Sequence, residues 1–235
     1  MTYNFKNITD SHDPSFTRKK KLRDKYMKES HFLRMLQCIR SSDASVDQIE
    51  RDYIIFVLMG NAGLRVSEVA LLYKDDCKPL HDTPPAIDAP SLKKRAEKKD
   101  RKKSAKADPE RTPKTPIKTI YVHPRVAKRI LKYVDEHVYE HQKFLFPGSS
   151  GDGHMSSRQI RRIYTHYCKL FKEKYSTHAI RHMYGSMVYA KTKDLAFLRD
   201  QMGHARIEGA GVTNEYVHVE PKRIRALVSE IGFLL

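Results

Sequence analysis

The chain has 235 residues, and its 45 Lys and Arg against 28 Asp and Glu give a formal net charge of +17 at pH 7. This length allows one good-sized domain, alone or with an appendage, and a charge of this sign and size indicates a polyanionic partner, either nucleic acid or an anionic membrane surface. No apolar run approaches the length of a membrane span, and the N-terminus lacks the apolar core of a signal peptide. We therefore expect a cytoplasmic protein that does not bind membranes.

The cysteines and histidines do not form a recognisable metal motif. Cys38, Cys77 and Cys168 are scattered and odd in number, without CxxC spacing, so we expect reduced thiols. Of the 12 histidines, only His178 and His182 have i,i+4 spacing beside other functional-looking groups, and no HExxH motif is present. We predict neither a catalytic metal nor a cofactor.

The N-terminal part of the chain predicts an arm followed by helices. Residues 1–21 are polar, lack periodicity and end in a basic run, which indicates a flexible basic arm. From about Glu29, apolar residues at helical spacing predict an amphipathic helix. Residues 53–59 are apolar on every side, which predicts a buried central helix. We place a single domain at residues 22–235.

A further helix is predicted to begin near Arg65, within the stretch 62–72. A cation at a helix N-terminus opposes the helix dipole, so it makes sense there if an anion binds both the guanidinium and the free N–H groups. Glu68, three residues on, can orient Arg65 from the same face. The alternative is an ordinary surface pair of Arg65 and Glu68.

Residues 74–118 differ in kind from the helical stretches on either side. Four prolines between residues 79 and 90 break any helix, and a lysine-rich stretch with hardly an apolar side chain follows. We expect a flexible basic insertion at about residues 78–112, which either adds DNA affinity without sequence choice or is only a spacer. A short strand at residues 118–122 follows, with Ile120 and Val122 facing inward.

Two more helices are predicted after this strand. Pro124 begins the first, and Ser156 and Ser157 cap the second. The side of the second helix opposite its apolar face carries Arg158, Arg161, Arg162 and Lys169. In a basic protein such a face is either a reader of DNA or an ordinary solvated surface.

A helix from His178 carries the densest set of functional-looking residues. At 100° per residue, one stripe of this helix holds His178, Arg181, His182, Gly185 and Tyr189. The opposite stripe is apolar, so we expect it to face the core. A glycine among cationic side chains lets a large ligand approach closely, which suits a phosphate diester.

The C-terminal part predicts two short helices around a second group of polar residues. Gly203 stops the first helix, with His204 just beyond its end and Tyr216 further on. Pro221 begins the last helix, which ends in an apolar tail at residues 233–235. We expect this segment either to pack on its own domain or to dock on a neighbouring protomer.

Four motifs resemble those of the tyrosine recombinase, or phage integrase, family. They are GLRVSE at 63–68, HAIRH at 178–182, MGH at 202–204 and NEYVH at 214–218. The resemblance covers essentially all of residues 22–235 and implies a mainly α fold with a small antiparallel β-sheet, of the α+β class. It also implies a site-specific recombinase or integrase of prokaryotic cells, their viruses or plasmids, which acts on double-stranded DNA as a homo-tetramer on paired sites.

The resemblance further implies a role for each matching residue. Tyr216 attacks the DNA phosphate and forms a covalent 3′-phosphotyrosyl link without metal or ATP, while Arg65 and Arg181 hold the phosphate oxygens. His178 acts as a base or hydrogen-bond partner, and His204 bonds the phosphate. The family's catalytic lysine lies in a β-hairpin, where we match it to Lys114, with Lys118 as the rival. The expected DNA contacts are Arg158, Arg161, Arg162, Lys118 and His182.

Two features depart from the family pattern. A separate helical DNA-binding domain usually precedes the catalytic part, and the spacing from His204 to Tyr216 is a few residues longer than usual. The alternatives are a nicking-closing enzyme like type IB topoisomerases and a DNA-binding protein that no longer cuts. The HxxR and Gly-His motifs favour the recombinase, and every catalytic position holds a chemically competent residue.

Overall fold

The computed structural model describes residues 27–92, 111–148, 153–170, 174–203, 221–231 and 233–235. Its helices are α1 (Glu29–Arg40), α2 (Val46–Asn61), α3 (Val66–Ala70), α4 (Pro124–His137), α5 (Ser157–Leu170), α6 (Thr177–Thr192), α7 (Leu195–Met202) and α8 (Pro221–Glu230). Strands β1 (Ala86–Pro90) and β2 (Ile117–Tyr121) pair antiparallel, and a 3-10 helix, Lys74–His81, precedes β1. The predicted mainly helical fold with a small antiparallel sheet is confirmed.

Helix α2 forms the centre of the core. Ser45 caps its start by accepting a hydrogen bond from the backbone of Gln48. The seven apolar residues 53–59 are each at most 1% exposed, as expected for a helix that is apolar on all sides. Helices α1, α3, α4 and α6 pack around it. The predicted buried central helix is therefore confirmed.

The expectation of a flexible insertion beginning near residue 78 is wrong for residues 78–92. The 3-10 helix accommodates Pro79, and Ile87 and Ala89 of β1 are buried against the core. Ile87 pairs with Ile120 of β2, and Pro90 closes the strand, where a missing N–H is tolerated. The short apolar pairs between prolines gave no readable periodicity, so the sequence pattern missed this strand. The lysine-rich residues 93–110 and the predicted arm lie outside the described residues.

The C-terminal segment packs on its own domain. Leu227, Val228, Ile231 and Leu234 are buried in the common core. The Asn61 side chain at the end of α2 donates a hydrogen bond to the carbonyl of Leu234 and accepts one from its backbone N–H, at 2.8 and 2.7 Å. Of the two predicted arrangements, the structure shows packing within the chain. None of the described helices is long and apolar enough to cross a membrane.

Candidate active site

The loop between α2 and α3 presents Arg65 at the start of α3. Gly63 in this loop has φ +61°, and a Cβ there would lie 2.3 Å from the ring of Tyr184. Only glycine therefore allows the loop to pack against α6. Arg65 is the N-cap residue of α3 in an extended conformation, and its side chain is 23% exposed. The loop is thus fixed while the guanidinium keeps access to solvent.

Glu68, on α3, is a carboxylate with no exposure to solvent. Its Oε1 accepts a hydrogen bond from the Arg65 guanidinium at 2.8 Å. Its Oε2 accepts one from the Arg65 backbone N–H at 2.8 Å and one from Lys118 Nζ at 3.0 Å. Burial alone would raise the pKa of Glu68, but the Lys118 ammonium and both groups of Arg65 outweigh it and lower the pKa. The predicted pairing of Glu68 with Arg65 is present, and Lys118 joins it.

Arg181, in the first turns of α6, is buried rather than presented on an open stripe as the sequence pattern suggested. Its guanidinium donates to the carbonyls of Gly63 and Met202 and lies 3.9 Å from Glu68 Oε2. Burial lowers the pKa of Arg181 to about 10, and the nearby Arg65 adds to this effect. Arg181 therefore ties the loop before α3 to the end of α7, with its orientation fixed by three partners.

Lys118 of β2 lies in the same cluster. Its side chain is only 9% exposed, and its stem packs on Gly203, where a Cβ would lie 2.9 Å from Lys118 Cδ. Gly203 ends α7 with φ +58°. Burial lowers the pKa of Lys118 to about 8, although Glu68 opposes the shift. We name Arg65, Glu68, Lys118 and Arg181 the Glu68 cluster; its three cations and one carboxylate leave a net charge of +2 (3 − 1).

Lys114 is located differently from Lys118. It is exposed on a turn that precedes β2, three residues before the strand begins at Ile117. The hairpin thus presents one lysine to solvent and holds the other inside the cluster.

The other predicted site residues of α5 and α6 are on the surface. His178 and His182 are exposed on α6, and Arg158, Arg161 and Arg162 are exposed on α5. Gly185, expected to admit a ligand, instead faces α7, because a Cβ there would lie 3.5 Å from Met202 Cε. His204 and Tyr216 lie outside the described residues; Gly203, which precedes them, packs on Lys118.

The cluster contains features that sequence reasoning missed. Two backbone carbonyls, those of Gly63 and Met202, orient Arg181, and no side-chain pattern marks a backbone acceptor. The position of Lys118 did have a signal, since alternation in a strand places it on the same face as the buried Ile120. Among the described residues, no three His, Cys, Asp or Glu side chains group in a way that could hold a metal ion.

Comparison with known proteins gives consistent matches. The model of the phage integrase family matches residues 25–223. The tyrosine recombinase XerC of Thermodesulfovibrio yellowstonii is 33% identical over 82 residues, which cover 34% of this chain and 26% of XerC. The chain therefore spans about a quarter of the curated relative that it matches.

Solved structures show the same fold at low sequence identity. The XerA recombinase superposes with a TM-score of 0.58 at 19% identity, over 86% of this chain and 63% of XerA. XerH bound to palindromic difH substrate, in a post-cleavage complex, gives 0.56 at 16% identity, over 87% of this chain and 52% of XerH. The Tn1549 transposon integrase in complex with transposon right end DNA gives a TM-score of 0.56 at 16% identity, over 86% of this chain and 64% of the integrase.

Proposed function

Because this chain belongs to the phage integrase family, we propose that it is a site-specific DNA recombinase that cuts and rejoins strands through a covalent 3′-phosphotyrosyl intermediate. The Glu68 cluster is the observation that carries this proposal. A net charge of +2 held on fixed, mostly buried groups suits a phosphodiester that gains negative charge as it is attacked. The exposed fraction of Arg65 gives that phosphate a point of entry.

In the proposed reaction Tyr216 is the nucleophile. Ionising a phenol of pKa near 10 at pH 7 costs roughly 4 kcal/mol, so His178 takes the phenolic proton as the oxygen attacks phosphorus. Arg65 and Arg181 hold the non-bridging oxygens, and His204 bonds the phosphate. The bond from phosphorus to the 5′-oxygen breaks, and that oxygen leaves with a proton from a lysine. The phosphotyrosyl link keeps the energy of the broken bond, so rejoining needs no ATP.

The contacts of the two lysines favour Lys114 as the proton donor. Lys118 donates to the buried Glu68, so losing its proton would leave that carboxylate with one cation fewer in a buried site. Lys114 is exposed and can approach a bound strand without breaking an internal ion pair. Lys118 then acts by holding Glu68, and through it Arg65.

Double-stranded DNA is the proposed partner, and we place it against α5 and the start of α6. Arg158, Arg161 and Arg162 on α5 and the exposed His178 and His182 on α6 present cations to it. XerH was solved bound to palindromic difH substrate, and the Tn1549 integrase in complex with transposon right end DNA. Recombination of two sites requires a homo-tetramer, which we also propose.

A covalent trapping assay tests the proposal. Nicked suicide substrates made from repeats that flank the gene should yield a protease-sensitive protein–DNA adduct with the wild-type chain. Tyr216→Phe should yield none while binding DNA normally, because only one hydroxyl is removed. Tyr139→Phe, at a tyrosine that is 65% exposed after α4, is the matched control and should retain the adduct. An adduct from Tyr216→Phe would reject the assignment of the nucleophile.

A further inference from the structure

Arg111 is a buried cation outside the Glu68 cluster. Its side chain is 8% exposed, and its guanidinium donates to both carboxylate oxygens of Asp76. It also donates to the carbonyl of Leu71 at 3.3 Å and lies 4.0 Å from the ring centroid of Tyr73. These four contacts involve a carboxylate, a backbone carbonyl and an aromatic ring. Arg111 is therefore fixed in place.

The partners of Arg111 belong to the end of α3 and to the 3-10 helix that follows it. Leu71 is the C-cap residue of α3, and Arg65 is its N-cap residue. Asp76 is itself held, because its Oδ2 also accepts a hydrogen bond from the Tyr73 backbone N–H at 2.8 Å. Arg111 thus attaches its own segment to the 3-10 helix and, through the Leu71 carbonyl, to the end of α3, the short helix that carries Glu68 and is capped by Arg65.

The segment that Arg111 attaches is the turn that presents Lys114. Thr112 donates its backbone N–H to the Thr115 hydroxyl at 2.9 Å, and the Thr115 backbone N–H donates to the Thr112 carbonyl at 2.8 Å. Thr115 is only 5% exposed. On the far side, Pro116 accepts a hydrogen bond from the Ser91 backbone N–H at 2.7 Å. The turn is therefore fixed at both ends, and Lys114 is exposed near its tip.

We propose that Arg111 is a positioning residue, which holds the turn of Lys114 at a set place relative to the phosphate site of the Glu68 cluster. Proton transfer requires donor and acceptor within hydrogen-bond reach, so a small displacement of the lysine costs much of its effect. A buried ion pair is a weak source of stability compared with apolar packing. The pair of Arg111 and Asp76 therefore serves to fix the position of the Lys114 turn. The inference rests on the proposed function, in which Lys114 protonates the leaving oxygen.

The test compares two substrates in the covalent trapping assay. A bridging 5′-phosphorothiolate at the cleavage position has a leaving group that departs without a proton. Arg111→Lys keeps the charge but loses the bidentate contact with Asp76, so it should slow cleavage of ordinary DNA by roughly 10- to 100-fold. On the phosphorothiolate its rate should be within about threefold of wild type, because the general acid is no longer needed. Asp76→Asn should likewise be slow on ordinary DNA and close to wild type on the phosphorothiolate.

Arg129→Lys is the matched control. Arg129 on α4 also pairs with a carboxylate, that of Glu50, and lies 4.9 Å from a tyrosine ring, that of Tyr53. A loss of stability at this site should affect both substrates equally. Equal defects of Arg111→Lys on the two substrates would therefore overturn the positioning role.

The assay also separates this inference from the proposed function. If the wild type forms no adduct on either substrate, the proposed function fails. If the wild type forms the adduct but Lys114→Ala is equally slow on both substrates, Lys114 is not the proton donor. In that case the role of Arg111 is overturned while the recombinase activity stands. If the phosphorothiolate substrate restores the rates of both single variants, Lys114→Ala and Arg111→Lys, the result supports the proton-donor role of Lys114 and the positioning role of Arg111.

Discussion

Two groups of cations among the described residues have different physical properties. In the Glu68 cluster, Lys118 and Arg181 are buried and orientated by a carboxylate and by backbone carbonyls. On α5, Arg158, Arg161 and Arg162 are exposed. A buried guanidinium has one orientation and interacts through a low dielectric, whereas an exposed one is mobile and screened by salt. Burial therefore fits the first group to chemistry, and exposure fits the second to affinity.

The largest expected effect comes from Arg181→Lys. A lysine cannot donate to the carbonyls of Gly63 and Met202 and also face a phosphate, since its ammonium is a single point charge. We expect the rate of covalent adduct formation to fall about 10²- to 10³-fold, as for loss of one transition-state donor. The measurement is single-turnover trapping at saturating DNA. A loss below tenfold would show that the orientation of Arg181 is not needed.

Glu68→Gln should mainly reduce stability. Removing one partner of a buried ion pair costs about 3–5 kcal/mol, because Arg65 and Lys118 lose their shared carboxylate. Folding lowers the pKa of Glu68 from its ordinary value of 4.5. The charged carboxylate therefore stabilises the fold fully above pH 4.5, and this contribution is lost as the pH falls through the lowered pKa. Urea unfolding should show a large difference from wild type at pH 7 that shrinks as the pH falls through the lowered pKa of Glu68.

The control for Glu68→Gln is Glu50→Gln. Glu50 is 26% exposed and also pairs with an arginine, Arg129. Its loss should cost much less, on the order of 1 kcal/mol, because its charge is partly solvated. Equal losses for the two variants would mean that burial does not distinguish the Glu68 cluster from other ion pairs.

A smaller effect is expected from pH through Lys118. Its pKa is lowered to about 8, so the ammonium is present below that pH and is lost as the pH rises through it. The net charge of the Glu68 cluster then falls from +2 to +1, and cleavage should slow by about tenfold above pH 8. Ionisation of the Tyr216 phenol would act in the opposite direction, so it cannot produce this decline. In Lys118→Arg the decline should move above pH 10.

Much of the fold could be predicted from sequence because helical periodicity is a local signal. The apolar stripes of α1, α5 and α6 and the continuous apolar run of α2 each lie within one segment of sequence. Strand β1 was missed because its pairing with β2 joins positions about 30 residues apart, such as Ile87 and Ile120. Such contacts leave no mark in a short window of sequence.

The sequence pointed to Arg65, Glu68 and Arg181, which the structure brings together, but it did not predict that Arg181 is buried. On a helical wheel Arg181 lies at the edge of the stripe with His178, next to the direction of the buried Val188. The pattern alone could not decide its environment. What decides it are the carbonyls of Gly63 and Met202, which come from two other segments. The ion pair of Lys118 with Glu68 likewise depends on a contact across 50 positions.

The smallest effect is expected for the exposed arginines of α5, and it tests whether they contribute to DNA affinity. Arg161→Gln removes one exposed charge from α5 and should leave the trapping rate at saturating DNA unchanged. If Arg161 contacts a phosphate, the slope of log affinity against log salt should become shallower by about 0.9. Arg34→Gln, at an exposed arginine of α1, is the control and should keep the wild-type slope. A lower trapping rate at saturation would show that α5 contributes to catalysis, and an unchanged slope would show that Arg161 is only a solvated charge.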